Sequence, residues 1–244
     1  MYDAHAALAA IDQNTTSIMA CLLITVAFAF IYFLIAFRMA FKQKVYVVPF
    51  VGAAVFFWHD LTFVLMFDTW FNVYDHWWVK MWWYALCGTV VFEILMLWQV
   101  WRYGREELWP KLSSAQFGWM IVLGTLGCGA LWFLVKFTIH DPLFFTTFAI
   151  TAIWSVPFHT GIMARRQSRA GQSIAMEVSV IIMISSLTGA FAQIDPFFRS
   201  PVFLAFVAAF IAWPLFNIWL IRRLPPVTAE PATLPKAGWK AVAA

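Results

Sequence analysis

An all-α membrane protein of seven transmembrane helices, N-terminus outside and C-terminus inside, is the fold class this sequence predicts. Three observations carry the prediction. Of 244 residues, 63% are hydrophobic and 11% charged, against about 45–50% and about 25% in soluble domains. Mean hydropathy is +0.79. Apolar stretches of about 20 residues, enough to cross the hydrocarbon of a bilayer, recur at 17–37, 45–67, 81–101, 117–137, 143–163, 174–193 and 202–221. Basic residues gather in every second connection. This composition excludes a soluble enzyme, a disordered regulator and a disulfide-stapled secreted domain. Cys21, Cys87 and Cys128 lie scattered inside apolar stretches, with neither a disulfide framework nor metal-ligand spacing.

Residues 1–16 form an outer segment. It contains Asp3 and Asp12 rather than a basic leader, and the apolar stretch after it is too long for a signal-peptide core. The membrane domain occupies 17–223. The first connection carries Arg38, Lys42 and Lys44, the third Arg102, Arg105 and Lys111, and the fifth Arg165, Arg166 and Arg169. Arg222, Arg223, Lys236 and Lys240 follow the last stretch, leaving Lys80, Lys136 and Arg199 for the opposite side, with Asp3, Asp12, Asp68, Asp75, Asp141 and Asp195. The positive-inside rule then sets the orientation. The net charge of +4 is thus a topology device and an attraction to anionic headgroups, and no nucleic-acid partner is expected. Residues 224–244, with Pro225, Pro226, Pro231 and Pro235, form a tail unable to pack a core.

The chain has 15 tryptophans. Trp70, Trp77, Trp78, Trp82, Trp83, Trp98, Trp101 and Trp109 sit where spans meet headgroups and suit an interfacial belt. Trp58 and Trp154 fall inside spans and are candidates for an aromatic pocket wall that stabilises a cation or grips an apolar substrate.

Ionisable side chains inside the hydrocarbon are costly and mark function. Those present are His59 and Asp60 in the second stretch, Glu93 in the third, His159 in the fifth and Glu177 in the sixth. Asp60 and Glu93 fall at similar depth on adjacent antiparallel spans, so a shared site is predicted; His159 and Glu177 flank the fifth connection and can pair. Each has a plainer reading. Asp60 can cap or pair with a polar group on the next helix. Glu177 can bond Arg165, Arg166 or Arg169, and His159 can be a neutral packing residue. Successive helical side chains diverge by about 100°, so His59 and Asp60 face different neighbours. Lys136, at a span end, is expected to extend toward the headgroups. A carboxyl shielded from water can serve as a Brønsted acid toward an alkene or epoxide, or carry a proton in a transporter. There is no HExxH, no GxSxG elbow, no phosphate-binding glycine loop, and no central Lys in the last stretch for a retinal Schiff base.

Three segments together resemble a known family. They are Trp58-His59-Asp60-Leu61-Thr62-Phe63; Phe92-Glu93-Ile94 running through Gln99 to Arg102-Tyr103-Gly104-Arg105-Glu106-Glu107; and Arg166-Gln167-Ser168-Arg169-Ala170-Gly171-Gln172-Ser173. Their order and spacing are similar to those of the seven-span membrane terpene cyclases of fungal meroterpenoid and indole-diterpene pathways and their bacterial relatives. The resemblance covers most of the chain from the second stretch onward. It implies acid-initiated cyclisation or isomerisation of an isoprenoid or similarly apolar substrate, without metal or organic cofactor, in a bacterial inner membrane. The family's acid in the second span maps onto His59 by position or Asp60 by chemistry; Asp60 is the candidate acid, with Glu93 sharing its proton. Trp58, Trp154, Gln99, His159, Glu177 and Asn217 are the expected pocket residues. The family has an Asp in the last span, where this chain reads Ala212-Trp213-Pro214-Leu215-Phe216-Asn217. Pro157 and the Arg-x-Ser-x-x-Gly-x-Ser turn also resemble PQ-loop transporters of the sugar-exporting type, although Phe158 replaces their Gln. A non-catalytic subunit of a membrane complex is the third reading.

Overall fold

The computed structural model describes residues 2–154 and 156–226, apart from the side chain of Trp154. The expected pocket role of Trp154 therefore lies outside the described residues, as do Lys236, Lys240 and the prolines of the tail beyond Pro226. The described residues form helices and connections, with no strand among them. In order they are α1 (Ala4–Gln13), α2 (Thr15–Gln43), α3 (Phe50–Leu65), α4 (Trp77–Leu108), α5 (Ser114–Ile139), α6 (Phe145–Trp154), α7 (Val156–Arg166), α8 (Ile174–Phe191) and α9 (Pro201–Arg223). A π-helical turn at Thr69–Val73 and a 3-10 turn at Pro196–Arg199 join neighbours.

Six helices are long and apolar enough to cross a membrane, counting α6 and α7 together as Phe145–Arg166. Leu34, Leu123 and Leu134 point outward, each more than 60% exposed, as a lipid-facing surface requires. The chain is an integral membrane protein on these grounds. The stretch at 45–67 departs from the expectation, because α3 has 16 residues and measures about 24 Å. Pro49 sets its start. At its end two indoles capture carbonyls that the helix leaves open: Trp70 donates to Phe63 O at 2.7 Å and Trp83 to Val64 O at 2.8 Å.

Local chemistry fixes the other boundaries. Ser113 and Gln116 close a reciprocal capping box on α5. Ser173 caps α8. Ser200 followed by Pro201 opens α9, where a proline sacrifices no needed N–H.

α2 packs along α8, α8 along α9, and α3 lies against both α4 and α5. The α3–α5 seam is close because α5 offers glycines. A Cβ on Gly129 would stand 2.5 Å from the Trp58 ring, and one on Gly124 2.8 Å from that of Phe50. The Trp58 indole donates to Thr125 O at 2.6 Å. Trp58 is therefore a wedge between helices rather than a wall of a hollow, because its ring is filled in on one side by Gly129 and bonded at its edge.

The two ends of the bundle are latched differently. At the basic end Glu107 of α4 accepts from Tyr46 (2.9 Å), from Arg165 Nε (2.6 Å) and from Arg166 Nε (2.9 Å). Arg166 also donates to Tyr46 O (2.9 Å) and Ala170 O (2.8 Å). Gly171 holds a left-handed φ of 75°, and a Cβ there would stand 2.8 Å from Arg166 Nη1. At the opposite end α1 lies over the bundle with Ala4, Ala7, Leu8 and Ile11 buried. Tyr2 donates to Asp141 and accepts from the Leu143 N–H at 2.9 Å. Burial, then the nearby Asp141 charge, pushes the Tyr2 phenol well above its ordinary range. Covered in this way, Trp70, Trp78 and Trp82 are core residues, which corrects the belt reading for these three; Trp77, Trp98, Trp101 and Trp109 remain exposed.

Candidate functional site

Two buried polar clusters hold the ionisable residues singled out in the sequence. The first lies midway along α3. One turn-step of divergence sends His59 toward α5 and α6 and Asp60 toward α4, yet the two remain in contact: His59 Nδ1 is 2.6 Å from Asp60 Oδ1. The hydroxyl of Thr89 on α4 donates to Asp60 Oδ2. One turn further along α4, Glu93 brings its carboxyl beside that of Asp60. His59, Asp60 and Glu93 are 0%, 3% and 2% exposed.

Two carboxylates are both acceptors, so their contact closes only with a proton between them. With Nδ1 donating to Asp60, His59 Nε2 carries the lone pair. That nitrogen and Glu93 Oε2 are buried without a hydrogen-bond partner among the described residues, unusual for buried polar atoms. Rings surround the imidazole: Trp132 at 5.9 Å, Phe144 at 5.6 Å and Phe148 at 5.5 Å between centroids. Lys136 does not extend to the headgroups. Its ammonium donates to Asp141 O and stands 4.1 Å from the Phe144 centroid, drawn inward by a carbonyl and a π face.

The second cluster joins α2, α7, α8 and α9. His159 Nδ1 is 3.1 Å from Glu177 Oε1, and its Nε2 is 3.1 Å from the Tyr32 hydroxyl. Asn217 Nδ2 donates to Glu177 Oε2 at 3.3 Å, and Thr160 donates to Asn217 Oδ1 at 2.5 Å. Trp213 Nε1 donates in turn to Thr160 at 2.8 Å. Pro214 in α9, one turn before Asn217, removes a ladder N–H. The plainer reading, Glu177 bonded to Arg165, Arg166 or Arg169, gives way to its pairing with His159 and Asn217, while Arg165 and Arg166 bind Glu107. Every polar atom of His159, Glu177 and Asn217 has a partner, so this cluster reads as a cross-link.

Gln99 lies further along α4, buried, with Nε2 unpartnered among the described residues. Two hollows, of about 550 Å³ and about 310 Å³, open between α4 and α5 toward the basic end. None of Asp60, Glu93, His59 or Trp58 lines them. Among the described residues no three His, Cys, Asp or Glu side chains converge as metal ligands do.

Thr89, Trp132, Phe144 and Phe148 were not legible as site residues. They are apolar or hydroxylic residues inside apolar runs, and only the packing of α4, α5 and α6 around α3 brings them together. Tyr32 and Thr160 join the second cluster for the same reason. No family model matches the chain, and no curated protein or solved structure matches it either.

Proposed function

We propose that this protein is an intramembrane acid-type enzyme, of the terpene-cyclase kind its motifs resemble, acting on an isoprenoid or similarly apolar substrate. The observation that supports this reading is the Asp60–Glu93 carboxyl contact, with His59 beside it and aromatic rings around the imidazole. The chemistry is redox-neutral. The shared carboxyl proton adds to an alkene carbon or an epoxide oxygen, and the electron deficiency passes to carbon. The π faces of Trp132, Phe144 and Phe148 stabilise the cation while a new C–C bond or a shifted double bond forms. A proton then leaves carbon for His59 Nε2 or the freed carboxylate, restoring the site. Asp60 is the acid, Glu93 shares its proton, and Thr89 is a positioning residue. Asn217, where the family has an acid, works with Glu177 in holding α9 to α7 and α8.

In the same reading α3 is a seventh, short span. Its start lies beside Tyr46 at the basic end and its last turns pack on Phe144 near the other, and the alternation of basic connections supports an N-terminus outside and a C-terminus inside, in a bacterial inner membrane. The test compares extractable apolar lipids of a deletion strain with those of the parent and of strains carrying Asp60→Asn or Glu93→Gln. A prenyl-type precursor should accumulate, and its cyclised or isomerised product disappear, in the deletion and in both variants. Purified protein in detergent should carry out the conversion without any gradient. Flux that appears only in sealed vesicles would assign the carboxyl pair to a proton-linked transporter. Lipid profiles unchanged by deletion, with a larger assembly lost, would assign the chain to a complex.

A further inference from the structure

The hollows between α4 and α5 have a feature the carboxyl site does not use. They share Trp101 and Ser114, so they form one groove on the outer surface of the bundle. Its larger, shallower part is almost wholly apolar and runs between Leu97, Trp98 and Trp101 of α4 and Gly118, Trp119 and Val122 of α5. From Ser114 to Val122 it follows about 12 Å of helix. Its upper part lies at the basic end and is lined by Arg102, Tyr103, Arg105 and Glu106.

The groove exists because α3 takes the facing surfaces of both neighbours. The Trp58 and Phe50 contacts bind α5 to α3, and α4 packs on the other flank of α3, leaving the two outer helices apart on the lipid side. Small residues at Ala115 and Gly118 keep the floor open; a Cβ on Gly118 would only just touch Trp101, at 3.4 Å. The charges at the mouth are unequal. Arg105 pairs with Glu106 and donates to Leu112 O at 3.1 Å. Arg102 is exposed and has no carboxylate partner among the described residues.

We propose that this groove binds one phospholipid with an anionic headgroup. The phosphate is held by Arg102 at the mouth and an acyl chain lies along Gly118 between Trp98, Trp101 and Trp119. An apolar slot that becomes cationic at one end, at the level where basic connections meet the headgroups, complements that molecule at both of its ends. The proposal is independent of the chemistry assigned to Asp60.

The test uses full-length protein purified in detergent and stripped of lipid. It is titrated with phosphatidylglycerol or phosphatidylcholine of identical acyl chains and read by native mass spectrometry. One phosphatidylglycerol should be retained per chain with about fivefold preference over phosphatidylcholine, the value of one basic side chain near an anionic surface. Arg102→Gln should abolish the preference while leaving weak binding of both lipids. Gly118→Leu, which fills the floor and favours the helix, should abolish retention of both with the melting temperature of the lipid-free protein maintained. Equal retention of the two lipids by the parent would overturn the proposal. So would a preference that survives Arg102→Gln, retention unaffected by Gly118→Leu, or a dimer that Gly118→Leu dissociates, which would give the groove to a second copy of the chain.

Discussion

The seat of α3 decides where His59 and Asp60 stand, and Gly129 is its most demanding contact. Gly129→Ala places a methyl 2.5 Å from Trp58 Nε1 and Cε2 and 2.9 Å from Cδ1. These are inner atoms of a ring pinned by its bond to Thr125 O, so the indole cannot retreat without breaking that bond. Overpacking of this kind costs about 1–3 kcal/mol, and losing the hydrogen bond costs about 1 kcal/mol. Alanine returns about 1 kcal/mol in helix propensity. The net expectation is destabilisation by about 1–3 kcal/mol. Two other glycines calibrate it. Gly124→Ala meets only the outer atoms of the Phe50 ring, at the first turn of α3, and should be near neutral. Gly88→Ala meets nothing within 4 Å and should stabilise by up to about 1 kcal/mol. Reversible unfolding in mixed detergent micelles measures all three. Trp58→Phe combined with Gly129→Ala should recover much of the loss, giving a positive coupling in a double-mutant cycle. A Gly129→Ala protein as stable as the Gly88→Ala protein, or a cycle with no coupling, would refute the wedge.

Gly171→Ala should destabilise by about 1–2 kcal/mol for its left-handed backbone and also displace Arg166, so limited proteolysis should cut the α7–α8 connection faster. Asn217→Leu removes a donor from Glu177 and the acceptor of Thr160 and should cost about 2–4 kcal/mol in the same unfolding assay, whereas Asn217→Asp should change the pH dependence of stability. The phenol of Tyr2 is raised in the folded protein, so its contribution is fully present below pH about 10 and is lost as pH rises toward the folded value. Alkaline titration followed by phenolate absorbance should show one tyrosine fewer ionising only on unfolding in Tyr2→Phe than in the parent. The Asp12 carboxyl is held below its usual range by hydrogen bonds from Trp77 and His76. Its tie between α1 and α4 is therefore present above pH about 4 and lost below, seen as faster exchange of α1 amides with deuterium.

The membrane class and the helical segments were legible because hydrocarbon tolerates so few polar atoms that length and apolarity alone mark a crossing. Pairing of Asp60 with Glu93, and of His159 with Glu177, was readable from depth on neighbouring helices. The shortness of α3 was not, since Tyr46, Val47 and Val48 are as apolar as a helix interior and only Pro49 marks the boundary. Trp58 misled for a related reason. A tryptophan inside a span reads alike whether it lines a hollow or fills the notch above a glycine 71 residues away in sequence. The aromatic shell of His59 was invisible because Trp132, Phe144 and Phe148 differ in no local way from the many other rings of the chain. Glu107 was read only as part of a motif, and its capture of Arg165 and Arg166 depends on where the α2–α3 connection places Tyr46.

Tyr2 and Asp141 are 139 residues apart. At roughly 5–20 residues per second of synthesis, some 7–28 s pass between the making of the one and the making of the other. During that interval α1 can bond His76 and Trp77 through Asp12 but lacks its anchor on Asp141 and Leu143. The latch at the start of the chain thus closes only once the segment leading into the fourth long helix has emerged from the ribosome. A bulky fusion ahead of Tyr2 would obstruct that last closure, and a purification handle belongs after Pro226.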